Sequence, residues 1–518
     1  MQDAESPTPQ KPQSRKGLLI VVAVVALVYA LSAGKALLSP SPHFHFVDLA
    51  NSFLHGRLDS DTPRRYAKQK PLPADPPHLQ EAIDRALLDK NGGTIGWNDW
   101  ASYREITLKG GDHLKGVWPW KDVPGPRQHE FYTLDGRLML VDPERDIKQG
   151  CEKDAPFRKC DKTIYQVSFP PFPAIVMLPL VVLQGYNAND VLMTLLFAVA
   201  SALLFFIWLR RLRREQLIAH NLPDQLWLVA LLAFGTVAWY CSVRGEVWFT
   251  ALVMGMTLHF AYLLAAQDAR RPLLAGLLLG LAIATRTPML FAFVFFPLQA
   301  CFPQGKFFGG AFKSNFLPTL KQLVLFGLPL AVIGAALAWF NYARWQNPTE
   351  FGHFYLLEGT RGPTRENGLF SWVFLNHNLG TAILNMPRFI ADAPFVQITR
   401  HGLGILACTP ALFALFARPP LAVPADHPPA LLDRKRALIQ HLTFAVVAVA
   451  GPALFYQNDG WQQFGYRFAM DFLPPLMGIF ALALPQLSRK TKALIVLSIV
   501  VQLFGTITFG RMEQFYYD

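Results

Sequence analysis

The sequence predicts an all-α polytopic membrane protein that carries a small α+β domain in one large loop. Hydrophobic residues make up 52% of the 518 residues and charged residues only 16%, a balance that is uncommon in soluble proteins. Long apolar runs recur along most of the chain, and one extended polar stretch, from Ser39 to about Asp190, follows the first run. Because a membrane helix needs about 20 apolar residues, we expect these runs to cross a bilayer.

The net charge of +12 does not indicate a nucleic-acid partner. The basic residues cluster in short loops between apolar runs, where lysine and arginine orient a membrane protein. We therefore expect membrane lipids as partners and no nucleic acid.

The first apolar run, Gly17–Leu38, follows the basic residues Lys11, Arg15 and Lys16. The small residues at Ala30–Ala33 are compatible with a cleavable signal peptide, but the run is long enough to span, so we expect an uncleaved anchor helix. With ten later runs the sequence predicts about eleven membrane helices. The later runs are Val191–Leu209, Leu226–Tyr240, Val247–Ala266, Leu273–Ala284, Met289–Phe302, Leu323–Phe340, Leu403–Leu415, Phe444–Phe455, Leu473–Leu484 and Ala493–Phe509.

The basic clusters agree with this count. When the runs alternate in direction, every cluster falls on one face, which the positive-inside rule assigns to the cytoplasm. These clusters are Lys11–Lys16, Arg210–Arg214, Arg270–Arg271, Lys306 with Lys313, Arg434–Arg436 and Arg489–Lys492.

The predicted organisation follows from the spans and their direction. It comprises a cytoplasmic N-terminus at 1–16, a first transmembrane helix at 17–38, a large extracytoplasmic loop with interfacial helices at 39–187, a transmembrane bundle at 188–510 with an extracytoplasmic loop at 341–400, and an extracytoplasmic C-terminus at 511–518. The apolar piece Ala174–Leu183 is too short to span, and we expect it to lie at the membrane interface.

The large loop has the pattern of a small α+β domain. Two alternating segments at 129–134 and 137–141, joined through Asp135-Gly136, predict a β-hairpin, and 106–108 and 117–120 are candidate further strands. Helical periodicity covers 79–88. Cys151 and Cys160 form a local disulfide if the loop faces an oxidising compartment, and otherwise are two unrelated free thiols.

Three passages carry a resemblance to a known family. The first, Phe46–Leu58, looks like an amphipathic helix that ends in a Gly turn. The second, Phe169-Pro170-Pro171 through Gly185, looks like an interfacial helix that begins with a Pro-Pro pair. The third, Leu274–Pro288, contains Gly276-x-x-x-Gly280 before Arg286. Their order resembles the GT-C superfamily of polyprenyl-phosphate-sugar glycosyltransferases, especially bacterial relatives of protein O-mannosyltransferases and aminoarabinose transferases.

The resemblance implies a GT-C-like bundle in the bacterial inner membrane. It implies transfer of a sugar from a polyprenyl-phosphate donor to an envelope lipid, glycan or protein on the outer face. The chain departs from the family at one place, because Ser41-Pro42-His43-Phe44-His45 stands where better-known relatives have a catalytic Asp-Glu pair.

The catalytic candidates lie near this departure. Such chemistry needs a base for the acceptor hydroxyl, and the closest acid is Asp48, with His43 and His45 as alternatives. Asp48 fits equally well as a water-facing residue on the polar side of an interfacial helix. The two histidines also fit residues that lie at the membrane interface and have no catalytic role. A divalent metal is possible as a cofactor, but two histidines alone do not assign one.

The donor phosphate needs cations, and three arginines are candidates. Arg286 ends an apolar run, where the alternative is snorkelling to the interface. Arg467 stands four residues before Asp471, so a purely structural ion pair is the alternative there. Arg244 is the third candidate, and pairing with Glu246 or solvation is favoured for it.

Two other functions remain open at this point. The missing Asp-Glu pair favours a non-catalytic GT-C-like subunit that binds or assembles lipid-linked glycans. A transporter or flippase is the second alternative, but the sequence shows no internal repeat, and its ionisable residues lie mostly at the ends of the apolar runs.

Overall fold

The structure is a computed structural model that describes residues 14–41, 43–60, 100–121, 123–151, 158–304, 316–356, 363–417 and 429–518. The described chain is mostly helical and has two small sheets, as expected for a helical membrane protein. The predicted helix at 79–88 and the basic residues Lys306 and Lys313 lie outside the described residues.

The α-helices are numbered in chain order. They are α1 (Ser14–Ala33), α2 (His45–Leu54), α3 (Phe172–Gln184), α4 (Asp190–Arg214), α5 (Leu222–Phe234), α6 (Ala238–Ser242), α7 (Val247–Ala266), α8 (Pro272–Ile283), α9 (Phe295–Cys301), α10 (Phe316–Trp345), α11 (Pro363–Asn367), α12 (Leu375–Leu379), α13 (Ile405–Cys408), α14 (Pro429–Phe455), α15 (Ala469–Ala483) and α16 (Arg489–Thr508).

Six helical segments of the described chain, and not the predicted eleven, are long and apolar enough to cross a membrane. They contain α1, α4, α7, α10, α14 and α16. Their bounds are Lys16–Leu38, Asp190–Arg214, Val247–Ala269, Phe316–Trp345, Pro429–Phe455 and Arg489–Thr508.

The other five predicted spans fail because their helices end early. The longest of them, α15, has 15 residues. At a rise of 1.5 Å per residue such a helix extends about 22 Å, short of the roughly 30 Å hydrocarbon core. The predicted span 403–415 is broken between α13 and the 3₁₀ turn Pro410–Leu415. The length of an apolar run does not give the length of the helix within it, because Gly and Pro residues can end the helix before the run ends.

The described basic clusters lie together at one end of the bundle, called here the basic end. Arg211 at the end of α4 pairs with Glu215 and with Asp268, which follows α7. Arg270 and Arg434 pair with the same two acids. This network fixes the ends of α4 and α7 against the start of α14, in agreement with the common face that the sequence predicts.

The remaining cluster members are at the same end. Lys492 in the first turn of α16 lies 2.8 Å from the Asp224 carboxylate in the first turn of α5. A Cβ atom on Gly17 of α1 would meet Phe206 near the end of α4. The side of the membrane that the basic end faces stays a prediction.

The opposite end, called here the domain end, carries a five-stranded antiparallel sheet of order β4-β3-β2-β1-β5. Its strands are β1 (Trp100–Thr107), β2 (His113–Val117), β3 (Glu130–Thr133), β4 (Leu138–Leu140) and β5 (Asp161–Val167). β3 and β4 confirm the predicted hairpin, and Gly136 in its turn has a φ of +90°, which glycine adopts readily. A disulfide joins Cys151 to Cys160 just before β5.

A second apolar core joins this domain to the bundle. It contains Leu49 of α2, Trp100 of β1, Met177 of α3, Val247 of α7 and Phe340 of α10. The polar loop therefore packs directly on the ends of two spanning helices, α7 and α10.

A second, three-stranded sheet connects the segment after α10 to the C-terminus. Its strands are β6 (Arg388–Phe389), β7 (Val396–Thr399) and β8 (Tyr516–Tyr517), in the order β6-β7-β8.

α8 packs closely on α10 through glycine. A Cβ atom on Gly276 would lie 2.1 Å from the Phe326 carbonyl oxygen, and one on Gly280 would lie 2.5 Å from the Ile333 side chain. The Gly276-x-x-x-Gly280 spacing therefore allows the two backbones to approach, as small residues do between membrane helices.

Gly276→Ala is expected to destabilise the bundle by about 1–3 kcal/mol, because the new methyl group meets rigid backbone of α10. Gly327→Ala on α10 is the matched control, since a Cβ there meets nothing within 4 Å and alanine favours a helix. Thermal unfolding in detergent, followed by circular dichroism, measures both. Equal midpoints for the two variants would contradict this packing.

Candidate functional site

The three predicted phosphate-binding arginines lie side by side at the domain end. The guanidinium carbons of Arg286 and Arg467 are 5.7 and 5.8 Å from the centre of the Phe468 ring. Those of Arg467 and Arg244 are 5.6 and 5.7 Å from the centre of the Phe249 ring. Two aromatic rings thus connect three cations in one row, called here the arginine cluster. Cations over aromatic faces are held by the ring quadrupole.

The positions of these side chains follow from helix ends. Arg286 comes shortly after α8, Arg244 lies in the turn before α7, and Arg467 precedes α15. Phe249 belongs to the first turn of α7. Arginines far apart in the sequence meet here because these three helix ends share the domain end of the bundle.

Two members of the cluster are neutralised by carboxylates. Arg286 Nε and Nη2 each donate to one oxygen of Asp471 at 2.7 Å, which is a bidentate pair. Arg244 donates to Glu246 at 2.8 Å and to the Phe509 carbonyl at 2.7 Å. Carboxylates therefore hold two of the three arginines in fixed orientations.

Arg467 has a different environment. Its Nη1 donates to the carbonyl of Gln462 at 3.4 Å, and its backbone N–H donates to Oε1 of Gln463 at 2.9 Å. Arg467 is 6% exposed. The side-chain amide of Gln463, which lies in the same loop, therefore helps to fix the backbone at Arg467.

Asp471, the alternative partner expected for Arg467, forms a bidentate ion pair with Arg286. The spacing of four residues places side chains together only on a regular helix. Arg467 lies in the turn before α15, which begins at Ala469, so Arg467 and Asp471 do not both belong to the helix. The expected pairing of Arg244 with Glu246 is confirmed.

Two nearby basic groups were missed by sequence reasoning. Burial and the positive Arg286 lower the pKa of His353 to about 4, so its imidazole is neutral near pH 7. Burial and the positive Arg244 lower the pKa of Arg511. Burial is the larger cause of both pKa shifts, and the positive charges of Arg286 and Arg244 act in the same direction. Neither residue carries a linear signal, because each lies in a separate loop whose position depends on the folded bundle.

Asp48 is buried in α2 and accepts several hydrogen bonds. Trp100 Nε1 and the Tyr186 hydroxyl each donate at 3.0 Å, and the Ser60 hydroxyl donates to the same carboxylate. These donors come from β1, from the turn after α3 and from the segment after α2. The Asp48 carboxylate thus links α2 to the sheet and to the turn after α3. The side of the carboxylate that faces these three donors is closed to solvent.

The two histidine candidates contact tryptophan rings beside Asp48 and at the start of α7. The His45 ring stacks on Trp100, with centroids 3.6 Å apart and planes inclined by 17°. The His43 ring is half-buried and lies 4.7 Å from that of Trp248. Trp248 directly precedes Phe249 in the first turn of α7, so the histidines and the arginines contact consecutive residues of one helix.

All six predicted site residues therefore gather at the domain end, around the start of α7. This arrangement can hold an anionic group through guanidinium donors beside an imidazole able to accept a proton. Among the described residues, the group with the geometry to hold a metal ion is His377, His401 and Asp459, and it does not include His43 or His45.

Comparison of the chain with protein-family models, curated proteins and solved structures gives no significant match.

Asp471→Asn is expected to lower the stability of the bundle by about 3–5 kcal/mol, because the buried Arg286 guanidinium loses its charged partner. Asp135→Asn removes the carboxylate of the exposed Arg137 pair and should leave the unfolding midpoint almost unchanged. The comparison is made by thermal unfolding in the same detergent. A midpoint in Asp471→Asn equal to that of the control would show that the pair adds nothing.

Proposed function

We propose that this protein is an integral membrane glycosyltransferase that uses a polyprenyl-phosphate-sugar donor. The observation that supports the proposal most is the arginine cluster, in which Arg244, Arg286 and Arg467 are held together at the end of an apolar bundle. A phosphate attached to a prenyl chain needs guanidinium donors beside apolar helix surface, and the domain end offers both.

The cluster suits a leaving phosphate. When the bond from the anomeric carbon to the phosphate oxygen breaks, negative charge develops on that oxygen. Arg286 and Arg244 are oriented by Asp471 and Glu246, so their guanidinium planes are fixed before the donor binds. Arg467 adds a third guanidinium group to the row, with its guanidinium carbon 5.6 and 5.8 Å from the centres of the rings that also contact Arg244 and Arg286.

The acceptor hydroxyl has to lose a proton as its oxygen bonds to the anomeric carbon. Asp48 stays the first candidate base, and it would have to release one of its hydrogen-bond donors to receive this proton. His43 is the more accessible candidate, because it is half-buried whereas Asp48 and His45 are buried. A neutral imidazole accepts a proton near neutral pH.

The membrane and the partners are part of the same proposal. The basic end would face the cytoplasm, and the domain end would face the outside of a bacterial inner membrane. The donor then reaches the arginine cluster from the outer leaflet. The acceptor would be an envelope lipid, glycan or protein.

A second candidate function is supported by the surroundings of Asp48. A carboxylate with donors from Trp100, Tyr186 and Ser60 is typical of a structural residue. A non-catalytic subunit that binds or assembles lipid-linked glycans would keep the arginine cluster and use Asp48 only to fix α2.

Arg467→Gln is expected to reduce sugar transfer by roughly 100-fold or more, because a donor to the leaving phosphate is lost. Transfer is measured in proteoliposomes with a panel of radiolabelled polyprenyl-phosphate sugars and an envelope-lipid extract as acceptor. Arg388→Gln is the matched control, since Arg388 is an exposed arginine on β6, and it should retain activity within about two-fold.

The same assay separates the candidate bases and the two functions. Loss of transfer in Asp48→Asn with folding retained would place the base at Asp48, whereas loss in His43→Gln alone would place it at His43. Wild-type protein that binds the donors but transfers no sugar would support the non-catalytic function. Equal transfer by Arg467→Gln and Arg388→Gln would refute a role for the arginine cluster.

A further inference from the structure

A group of two histidines and one aspartate lies at the domain end and includes none of the residues assigned to glycosyl transfer. His377 belongs to α12, His401 follows β7, and Asp459 lies in the turn after α14. One nitrogen of each ring and one carboxylate oxygen all lie within 4.8 Å of one another. Three segments distant in sequence thus place one potential ligand atom each around a single point.

The two imidazoles point at the same oxygen. Nε2 of His377 is 2.9 Å from Oδ2 of Asp459, and Nδ1 of His401 contacts that oxygen as well. The ring planes are nearly perpendicular, at 83°, with centroids 5.1 Å apart. Ligand atoms around a tetrahedral zinc ion are separated by about 3.4 Å, given metal–ligand bonds near 2.0–2.1 Å. A small rotation of the His377 and His401 rings would move their nitrogens away from Oδ2 of Asp459 and leave room for such an ion.

The carboxylate is oriented by a second layer of hydrogen bonds. The backbone N–H of Trp461 donates to Oδ1 of Asp459 at 2.9 Å, and the Thr381 hydroxyl donates to Oδ2 at 3.2 Å. The Gln463 side chain donates to the carbonyls of His401 and Asp459 at 2.7 and 2.9 Å. Outer hydrogen bonds of this kind fix the orientation of metal ligands.

The exposure of the three side chains differs in a way that suits an open metal site. The Asp459 side chain is 4% exposed, that of His401 34% and that of His377 60%. A buried carboxylate supplies charge, and the exposed rings leave one side open to solvent. Zinc is also bound by three protein ligands with water in the fourth position, which this open side would allow.

We propose that His377, His401 and Asp459 bind one divalent zinc ion. Imidazole nitrogen with carboxylate oxygen is a ligand set that suits Zn²⁺ better than Mg²⁺ or Ca²⁺, which prefer oxygen alone. The ion would connect α12 and the segment after β7 to the turn after α14. The Gln463 side chain, which bonds the His401 and Asp459 carbonyls, also accepts a hydrogen bond from the backbone N–H of Arg467. The ion would therefore stabilise the loop that holds Arg467. The site itself does not depend on the glycosyltransferase proposal.

The test uses the full chain without a polyhistidine tag, purified in detergent, stripped with EDTA and dialysed into metal-free buffer. Added zinc is measured by isothermal titration and by elemental analysis after gel filtration. Titration with Co²⁺ gives a second readout, because a four-coordinate Co²⁺ site absorbs strongly in the visible range. Wild-type protein is expected to bind one ion per chain.

His377→Ala and His401→Ala are each expected to lose that ion and the Co²⁺ absorption. His377 is mostly exposed, so its removal leaves the packing intact, and an unchanged unfolding midpoint of the metal-free variant verifies this. His113→Ala, an exposed histidine on β2, is the matched control and should keep one ion. No zinc on the wild type, or the same stoichiometry in His377→Ala, His401→Ala and His113→Ala, would overturn the proposal.

Discussion

The bidentate ion pair between Arg286 and Asp471 is the interaction on which the candidate site depends. Arg286 follows α8 and Asp471 lies in the first turn of α15, so the pair joins two short helices that cannot span a membrane by themselves. The backbone carbonyl of Asp471 also accepts a hydrogen bond from Nδ1 of His259 of α7 at 2.9 Å. A Cβ atom on Gly255 of α7 would lie 3.2 Å from the Arg286 side chain. The spanning helix α7 thus provides the surface on which the pair is assembled.

The arginine cluster follows from this arrangement. With Arg286 fixed, the Phe468 ring lies between Arg286 and Arg467, and Phe249 of α7 lies between Arg467 and Arg244. Carboxylates satisfy the outer two arginines, which lowers the cost of bringing three cations together in an apolar setting. Arg467 lies in the middle of the row, near both aromatic rings. Three guanidinium groups held in one row are the physical basis for expecting an anionic ligand there.

Much of the fold could be predicted from the sequence. Apolar runs and basic clusters indicated a helical membrane protein whose basic loops share one end, and Asp135-Gly136 indicated the hairpin of β3 and β4. The number of spanning helices was wrong because run length does not reveal breaks such as the one at Thr409-Pro410 between α13 and the following 3₁₀ turn. Local spacing likewise did not reveal the ion pair of Asp471 with Arg286, since Arg286 is distant in sequence.

The candidate site was predictable only in part. Arg286, Arg467 and Arg244 each stood out as a charge at the end of an apolar run, but their convergence depends on how the helices pack. His377, His401 and Asp459 carried no signal, because no two of them share a short motif.

Lipid binding is the most direct test of the central claim, that the arginine cluster holds a prenyl-linked phosphate. Native mass spectrometry of the purified chain with added polyprenyl phosphate would give the bound fraction for wild type and Arg467→Gln. Loss of one charge-assisted donor should weaken binding by about 10- to 100-fold, leaving the unfolding midpoint intact. Equal retention of the lipid by both proteins would contradict the account.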